Sequence, residues 1–135
     1  MRVALTILTG LMMVLTAQAE LVAALRPAIR EAAAKHGVDP VMMEAIIRHE
    51  SANATSSAAR RKNNLAGIMG RNGQRRFESK EACVEHLAEM LGKYRAKGRV
   101  TLVQISRVYC ASHQQWVRGV THYMKNIREG KWGQI

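Results

Sequence analysis

Apolar residues recur three and four positions apart along most of the chain, the spacing that places side chains on one face of an α-helix. The pattern predicts a first helix that ends at Gly37, because glycine freely adopts the left-handed conformation that stops a helix. A second helix is predicted to begin at Pro40 and to reach Glu50, with Asp39 as its N-cap. The fold is therefore expected to be all-α and to begin with these two helices.

Three further helices are predicted in the second half of the chain. Ser79 is the expected N-cap of the third helix, and a short fourth helix is expected over residues 102–109. An apolar stripe over residues 116–127 predicts the fifth. Ser112 and Gln115 have the spacing of a capping box at its start.

One carboxylate interrupts the apolar face of the second predicted helix. Met43, Ile46, Ile47 and Glu50 recur at i, i+3, i+4 and i+7, so they share that face. A helix C-terminus carries partial negative charge, and apolar neighbours disfavour an ionised group, so we expect the pKa of Glu50 to be raised. A carboxyl group that is still protonated near neutral pH suits a glycosidase general acid. An ordinary solvated helix-end glutamate fits the periodicity equally well.

The N-terminus has the pattern of a secretory signal. Met1-Arg2 is a charged start, residues 3–15 are mostly apolar, and Ala17-Gln18-Ala19 is an A-x-A cleavage site. Cleavage after Ala19 would leave residues 20–135 as one domain that works outside the cytoplasm, in the periplasm or at the cell wall. An uncleaved anchor is the alternative.

The charge of the chain is strongly positive. Lys and Arg number 21 and Asp and Glu 10, which gives a formal net charge of +11. Such an excess favours an anionic partner, and for an exported protein this is a cell-envelope polymer or a membrane surface rather than nucleic acid. A solvated basic face without a partner explains the charge as well. We expect a monomer with no stable membrane insertion after signal cleavage.

The two cysteines, Cys83 and Cys110, lie in a chain that is expected to be exported. A disulfide between them is therefore predicted, and closure of the loop would stabilise the fold by about 3.5 kcal/mol on the chain-entropy model. A nucleophilic Cys110 assisted by His113 is the rival hypothesis.

The sequence offers no pattern for a metal or a cofactor. His49-Glu50 lacks the second histidine of a zinc-protease motif, because Asn53 stands where that histidine would be. The other histidines share no short spacing, and the chain contains neither a glycine-rich phosphate loop nor a G-x-S-x-G turn.

Four motifs follow one another in a fixed order across nearly the whole expected domain. They are Val38-Asp39-Pro40 leading into residues 46–51, then residues 61–68, then Phe77-Glu78-Ser79, and last residues 109–112 followed by Trp116. With these motifs the chain from Leu25 to about Ile127 resembles the bacterial glucosaminidase domain, a peptidoglycan-cleaving branch of the lysozyme-like superfamily. The resemblance implies a compact lysozyme-like domain. The apolar pattern makes it all-α with about five helices, and the short segment before Phe77 predicts a reduced or absent β-hairpin lobe.

The resemblance also assigns roles to individual residues. It implies that Glu50 is the catalytic acid and that Tyr109 lies at the cleft. The Asn64 amide would orient an N-acetyl group, and Gly67 would let a sugar approach the backbone. On the residues alone, Asn64 as a turn residue and Tyr109 as a core aromatic stay open. The residues implied in substrate binding are Ser51, Asn64, Leu65, Gly67 and Ile68.

The chain departs from the family pattern at two places. Ala52-Asn53 replaces a frequent Gly-Trp and so removes an aromatic sugar platform. The segment between Ile68 and Phe77 is much shorter than the hairpin lobe that usually supplies a second carboxylate. Glu78, in the turn after this segment, is the possible second acid.

The resemblance implies a peptidoglycan hydrolase that cleaves β-1,4 glycosidic bonds of N-acetylglucosamine-containing strands with one glutamate as general acid. A lytic transglycosylase of the same fold would need the same single glutamate. A catalytically silent wall-binding module is the third hypothesis.

Overall fold

The computed structural model describes residues 21–133. The predicted signal segment at 1–19 lies outside these residues. None of the described helices is long and apolar enough to cross a membrane. The described elements, in chain order, are α1 (Arg26–His36), α2 (Pro40–Ser51), α3 (Ser57–Lys62), β1 (Met69–Gly70), β2 (Gly73–Gln74), α4 (Lys80–Ala96), α5 (Leu102–Tyr109) and α6 (His113–Arg128).

The connection between α1 and α2 follows the local signals of the sequence. Gly37 ends α1 in the left-handed region with φ 67°. The Asp39 carboxylate then accepts a hydrogen bond of 2.9 Å from the Val41 amide and caps α2, while Pro40 occupies the first position, which needs no N–H. Both predicted helix boundaries are therefore confirmed.

Helix α2 is the central element of the fold. It packs chiefly against α6, whereas α1 packs chiefly against α4. Met43, Ile46 and Ile47 on its apolar face are fully buried. The two helices approach closely at Gly119, where a Cβ atom would lie 2.3 Å from the Nδ1 atom of His49. A larger residue at this position of α6 would displace the His49 ring.

Two details of the helix prediction are wrong. The short helix α3 was not predicted, because Ala59 is its single buried residue and no apolar stripe marks it. The predicted capping box at Ser112 is absent: Ser112 has ψ 64°, outside the extended region that N-caps use, and its side chain makes no cap bond. A capping box is present instead at the start of α5, between Thr101 and Gln104.

The β-hairpin lobe is reduced to its smallest form. Met69 pairs with Gln74 and Gly70 with Gly73, in an antiparallel ladder of two residues per strand. The predicted fold class, a mostly helical domain with a reduced hairpin lobe, is confirmed.

The predicted disulfide is absent, because Cys83 and Cys110 are both free thiols. The Cys83 sulfur is fully buried and accepts a hydrogen bond of 3.3 Å from the Leu65 amide. Burial also raises the pKa of the Cys83 thiol, which disfavours its reactive thiolate form. The Nδ1 atom of His113, the residue proposed to assist Cys110, lies 2.9 Å from the Ser106 carbonyl.

Candidate active site

Glu50 lies in the last turn of α2, half-buried where α2 meets the first turn of α6. Its Oε1 atom accepts a hydrogen bond of 2.6 Å from the indole Nε1 of Trp116. Trp116 is only 2% exposed, so the surrounding core fixes its ring. An indole N–H can only donate, and this contact therefore holds the carboxyl group in one orientation.

The second carboxyl oxygen of Glu50 lies against the backbone of the segment that follows α3. A Cβ atom on Gly67 would be 2.8 Å from Oε2, and Gly67 has φ +62°. Only glycine accepts both the left-handed backbone and this close approach without strain. In the structure, the group that approaches Gly67 is thus the Glu50 carboxyl, whereas the sequence predicted a sugar.

Asn64 organises this segment from the inside. Its Nδ2 atom donates to the carbonyls of Ile68 (2.8 Å) and Arg75 (2.9 Å). Its Oδ1 atom accepts from the amides of Ala66 (3.3 Å) and Ile68 (3.1 Å). The side chain is 1% exposed and both of its polar atoms are occupied, so the predicted contact with an N-acetyl group is wrong. Asn64 instead fixes the backbone on which Gly67 lies.

Two other residues that were predicted to bind substrate are also buried. Ser51 and Leu65 are 0% exposed and cannot touch a ligand directly. The Ser51 hydroxyl donates to the Ile47 carbonyl and accepts a 2.8 Å bond from the Ala54 amide, which shapes the turn after α2. These residues support the site from below its surface.

Tyr109 joins α5 to the same segment. Its hydroxyl donates to the Ala66 carbonyl, and its ring centroid lies 5.2 Å from that of Trp116. Burial, followed by the charge of Glu50, raises the pKa of Tyr109 well above its usual range, so its hydroxyl remains protonated. Tyr109 therefore acts as a neutral donor beside the carboxyl group.

A shallow depression of about 220 Å³ opens beside these groups. It is lined by Gly67, Ile68, Met69, Met90, Tyr94, Val108 and Tyr109. Three residues that the sequence predicted at the site, Gly67, Ile68 and Tyr109, are thus brought together next to Glu50.

Glu78 lies elsewhere. It is exposed and lines a separate depression of about 480 Å³ with Arg75, Phe77 and His86, none of which borders the first depression. The structure does not place Glu78 with Glu50.

The environment of Glu50 favours its protonated form. Burial raises the pKa of Glu50, while the hydrogen bond from Trp116 and the charge of His49 partly offset the rise. The predicted direction of the shift agrees with this result. Arg48 does not reach Glu50, because its guanidinium donates hydrogen bonds to the Glu44 carboxylate.

An ionic network behind the site was not predicted. The Glu44 carboxylate lies between two guanidiniums, with Arg26 Nε 3.0 Å from Oε2 and Arg48 Nη2 2.8 Å from Oε1. Arg48 is 0% exposed and lies 4.0 Å from the ring centroid of Trp132. The i, i+4 spacing of Glu44 and Arg48 was visible in the sequence, but such pairs are usually solvated.

This network also holds the turn directly after Glu50. Ala52, Asn53 and Ala54 are three successive non-glycine residues with positive φ, at 49°, 56° and 68°. Such residues cost free energy unless their surroundings hold them. Arg48 Nη1 donates a 2.9 Å hydrogen bond to the Asn53 Oδ1 atom. Asn53 therefore anchors this turn to the buried charges.

The fold and the site define a class of protein. It is a small helical domain in which one half-buried glutamate lies between an indole N–H and a glycine. A family model described as "Glucosaminidase: Mannosyl-glycoprotein endo-beta-N-acetylglucosaminidase" matches residues 26–129. The chain belongs to this glucosaminidase family, which confirms the predicted resemblance and makes the protein a glycoside-hydrolase-type domain. Searches of curated proteins and of solved structures gave no match.

Proposed function

We propose that the protein is an exported hydrolase of β-1,4 glycosidic bonds in N-acetylglucosamine-containing peptidoglycan strands, with Glu50 as general acid. The observation that carries the proposal is the Glu50 carboxyl, which is bonded to Trp116, has a raised pKa and lies next to Gly67, a residue that lines the depression. Membership of the glucosaminidase family supports the type of bond.

The hydrogen bond from Trp116 to Glu50 determines which carboxyl oxygen of Glu50 carries the proton. Oε1 accepts from Trp116, so in the protonated acid the proton resides on Oε2. A side chain at Gly67 would collide with Oε2, and its absence leaves room beside this oxygen. Oε2 would donate its proton to the glycosidic oxygen as the bond to the sugar breaks, and the carboxylate that results is stabilised by the Trp116 N–H.

A second protein carboxylate is not part of the proposed mechanism. An inverting scheme would need a base about 6.5–9.5 Å from the acid, on the far side of the sugar. Glu44 is occupied by two arginines, and Glu78 borders a different depression. We therefore propose that the substrate supplies the nucleophile, through its N-acetyl group or its 6-hydroxyl group.

This single-acid arrangement also favours a second candidate, the lytic transglycosylase. Attack by the 6-hydroxyl group would leave a 1,6-anhydro end, whereas attack by water after N-acetyl participation leaves a reducing end. Zymography on cell walls separates either enzyme from a silent binding module, because only an enzyme clears the gel. Mass analysis of the released ends then separates the two enzymes.

Two substitutions test whether the substrate supplies the nucleophile. Glu78→Gln is expected to keep lytic activity within about tenfold, which corresponds to roughly 1.4 kcal/mol of barrier. Tyr109→Phe is expected to lose more, because its hydroxyl fixes the Ala66 carbonyl next to Gly67. Lysis rates of purified walls measure both effects, with melting curves to show that each variant is folded. Abolished lysis in Glu78→Gln with normal lysis in Tyr109→Phe would identify Glu78 as the missing base.

Trp116→Phe tests the protonation of the acid. The indole N–H stabilises the ionised form of Glu50, so its removal should raise the pKa of Glu50 further. A protonated acid with a higher pKa stays active to higher pH, and the alkaline limb of the pH–activity profile should therefore move upward. Trp132→Phe is the matched control, since the structure shows Trp132 against Arg48 and not bonded to Glu50. An alkaline limb that stays in place, or moves to lower pH, would show that Glu50 does not set it.

We further propose that the protein acts outside the cytoplasm as a monomer attracted to the anionic envelope. The signal-like segment at 1–19 and the net charge of +11 support this.

A further inference from the structure

One long stretch of the chain contains basic residues but no acidic ones. Between Glu89 and Glu129 the sequence contains no acidic residue. Lys93 pairs with Glu89 at 2.9 Å and Lys125 with Glu129 at 3.9 Å, so these two cations are partly neutralised at the ends of the stretch. The other cations form no ion pair within the part of the chain that the structure describes. They are Arg95, Lys97, Arg99, Arg107, Arg118 and Arg128.

Exposed apolar side chains lie in the same stretch. Val100, Val103 and Val108 are 50%, 51% and 42% exposed. Val103 and Arg107 are one turn apart on α5 and both exposed, so they share its outer face. Val100, just before α5, and Val103, on α5, therefore add exposed apolar surface to this basic stretch.

Two depressions show that the cations and the valines are neighbours in space. One, of about 310 Å³, is bordered by the two cations Arg95 and Arg99, by Val100 and by the carboxylate of Asp39, above an apolar floor that includes Leu91 and Ile105. The other, of about 290 Å³, lies between α5 and α6 and joins Val103 to Arg118. We call the surface formed by Arg95, Lys97, Arg99, Val100, Val103, Arg107 and Arg118 the basic–apolar face.

We propose that the basic–apolar face docks the protein on an anionic phospholipid surface. The arginines and Lys97 would contact lipid phosphates, and the valines would enter the apolar boundary beneath the headgroups. A polyanionic wall polymer would satisfy the cations but leave the valines in water, so the combination favours lipid. The docking is peripheral, since α5 has eight residues and is far too short to span a bilayer. The proposal rests on the proposed export, but its test does not depend on glycan cleavage.

The test is flotation of the purified exported form of the protein with vesicles of phosphatidylglycerol and phosphatidylcholine, and with vesicles of phosphatidylcholine alone. The face variant replaces Arg95, Lys97 and Arg107 by Ser. The matched control replaces Arg30, Arg61 and Arg71 by Ser, and these residues are equally exposed and carry the same charge. In neither set does a side chain make an ion pair within the described residues.

Wild-type protein should float with phosphatidylglycerol vesicles and not with phosphatidylcholine alone. Each surface Lys or Arg contributes about a fivefold factor in binding to an anionic membrane, so the face variant should bind about a hundredfold more weakly. The control should lose less than about tenfold, because it changes only the overall charge. Val100→Ser combined with Val103→Ser should weaken binding by about fivefold at high salt, where the electrostatic attraction is screened.

Three outcomes would overturn the proposal. Wild-type protein that does not bind phosphatidylglycerol vesicles has no such docking face. Equal losses in the two triple variants would show a general charge effect. Vesicle binding that is unaffected by the valine substitutions would show that the valines do not enter the lipid boundary, and the part of the proposal that favours lipid over a polyanionic polymer would be lost. Digestion of glycan without vesicles, assayed in parallel, reports on the proposed enzymatic function separately.

Discussion

Replacement of Glu50 by Gln is expected to remove nearly all glycan cleavage, with a loss of about 10²–10⁴-fold, because general acid catalysis contributes a factor of that size. The amide has almost the same shape as the carboxyl, and its oxygen can still accept the Trp116 N–H, so the fold should persist. What the variant lacks is the transferable proton on Oε2.

The measurement is the rate of lysis of purified walls at the pH optimum of the wild type, together with a melting curve. Glu78→Gln is the matched control, since it makes the same chemical change at an exposed carboxylate away from the depression. A folded Glu50→Gln protein that lyses walls at the wild-type rate would remove Glu50 from the mechanism.

The second large effect is expected on stability, from Glu44→Gln. This change removes the one carboxylate between two guanidiniums and leaves the buried charge of Arg48 without its anion. Loss of one partner of a buried ion pair destabilises a protein by about 3–5 kcal/mol, because the remaining charge is buried without compensation. Urea unfolding at pH 7 measures the free energy of unfolding.

Glu31→Gln is the control for this substitution, because Glu31 is exposed on α1. It should change the free energy of unfolding by less than about 0.5 kcal/mol, as surface substitutions generally do. If Glu44→Gln unfolds at nearly the same urea concentration as Glu31→Gln, the network does not contribute to the stability of this fold.

The sequence predicts those parts of the fold that depend on neighbouring residues. The stop at Gly37, the cap at Asp39 and the position of Glu50 on the apolar face of α2 all follow from local rules and helical spacing. Helix α3 could not be predicted from the apolar pattern, because Ala59 is its single buried residue and one residue shows no periodicity.

The arrangement of the site depends on residues that are far apart in sequence. The hydrogen bond between Trp116 and Glu50 joins residues 66 positions apart, and only the packing of α2 on α6 creates it. The role of Asn64 also could not be predicted from its neighbours in sequence. Its amide can form hydrogen bonds with a ligand or with the backbone, and because the side chain is buried it bonds the backbone. Cys83 was predicted to form a disulfide, but its sulfur accepts an amide hydrogen bond instead.

Digestion of purified peptidoglycan with mass analysis of the released ends tests the central proposal most directly. Wild-type protein should release fragments with new ends, either reducing ends at N-acetylglucosamine or 1,6-anhydro ends, and Glu50→Gln should release almost none. Reducing ends would identify the hydrolase, and 1,6-anhydro ends would identify the transglycosylase with the same acid. The proposal would be contradicted if folded wild-type protein released no fragments, or if Glu50→Gln released the same fragments at the same rate.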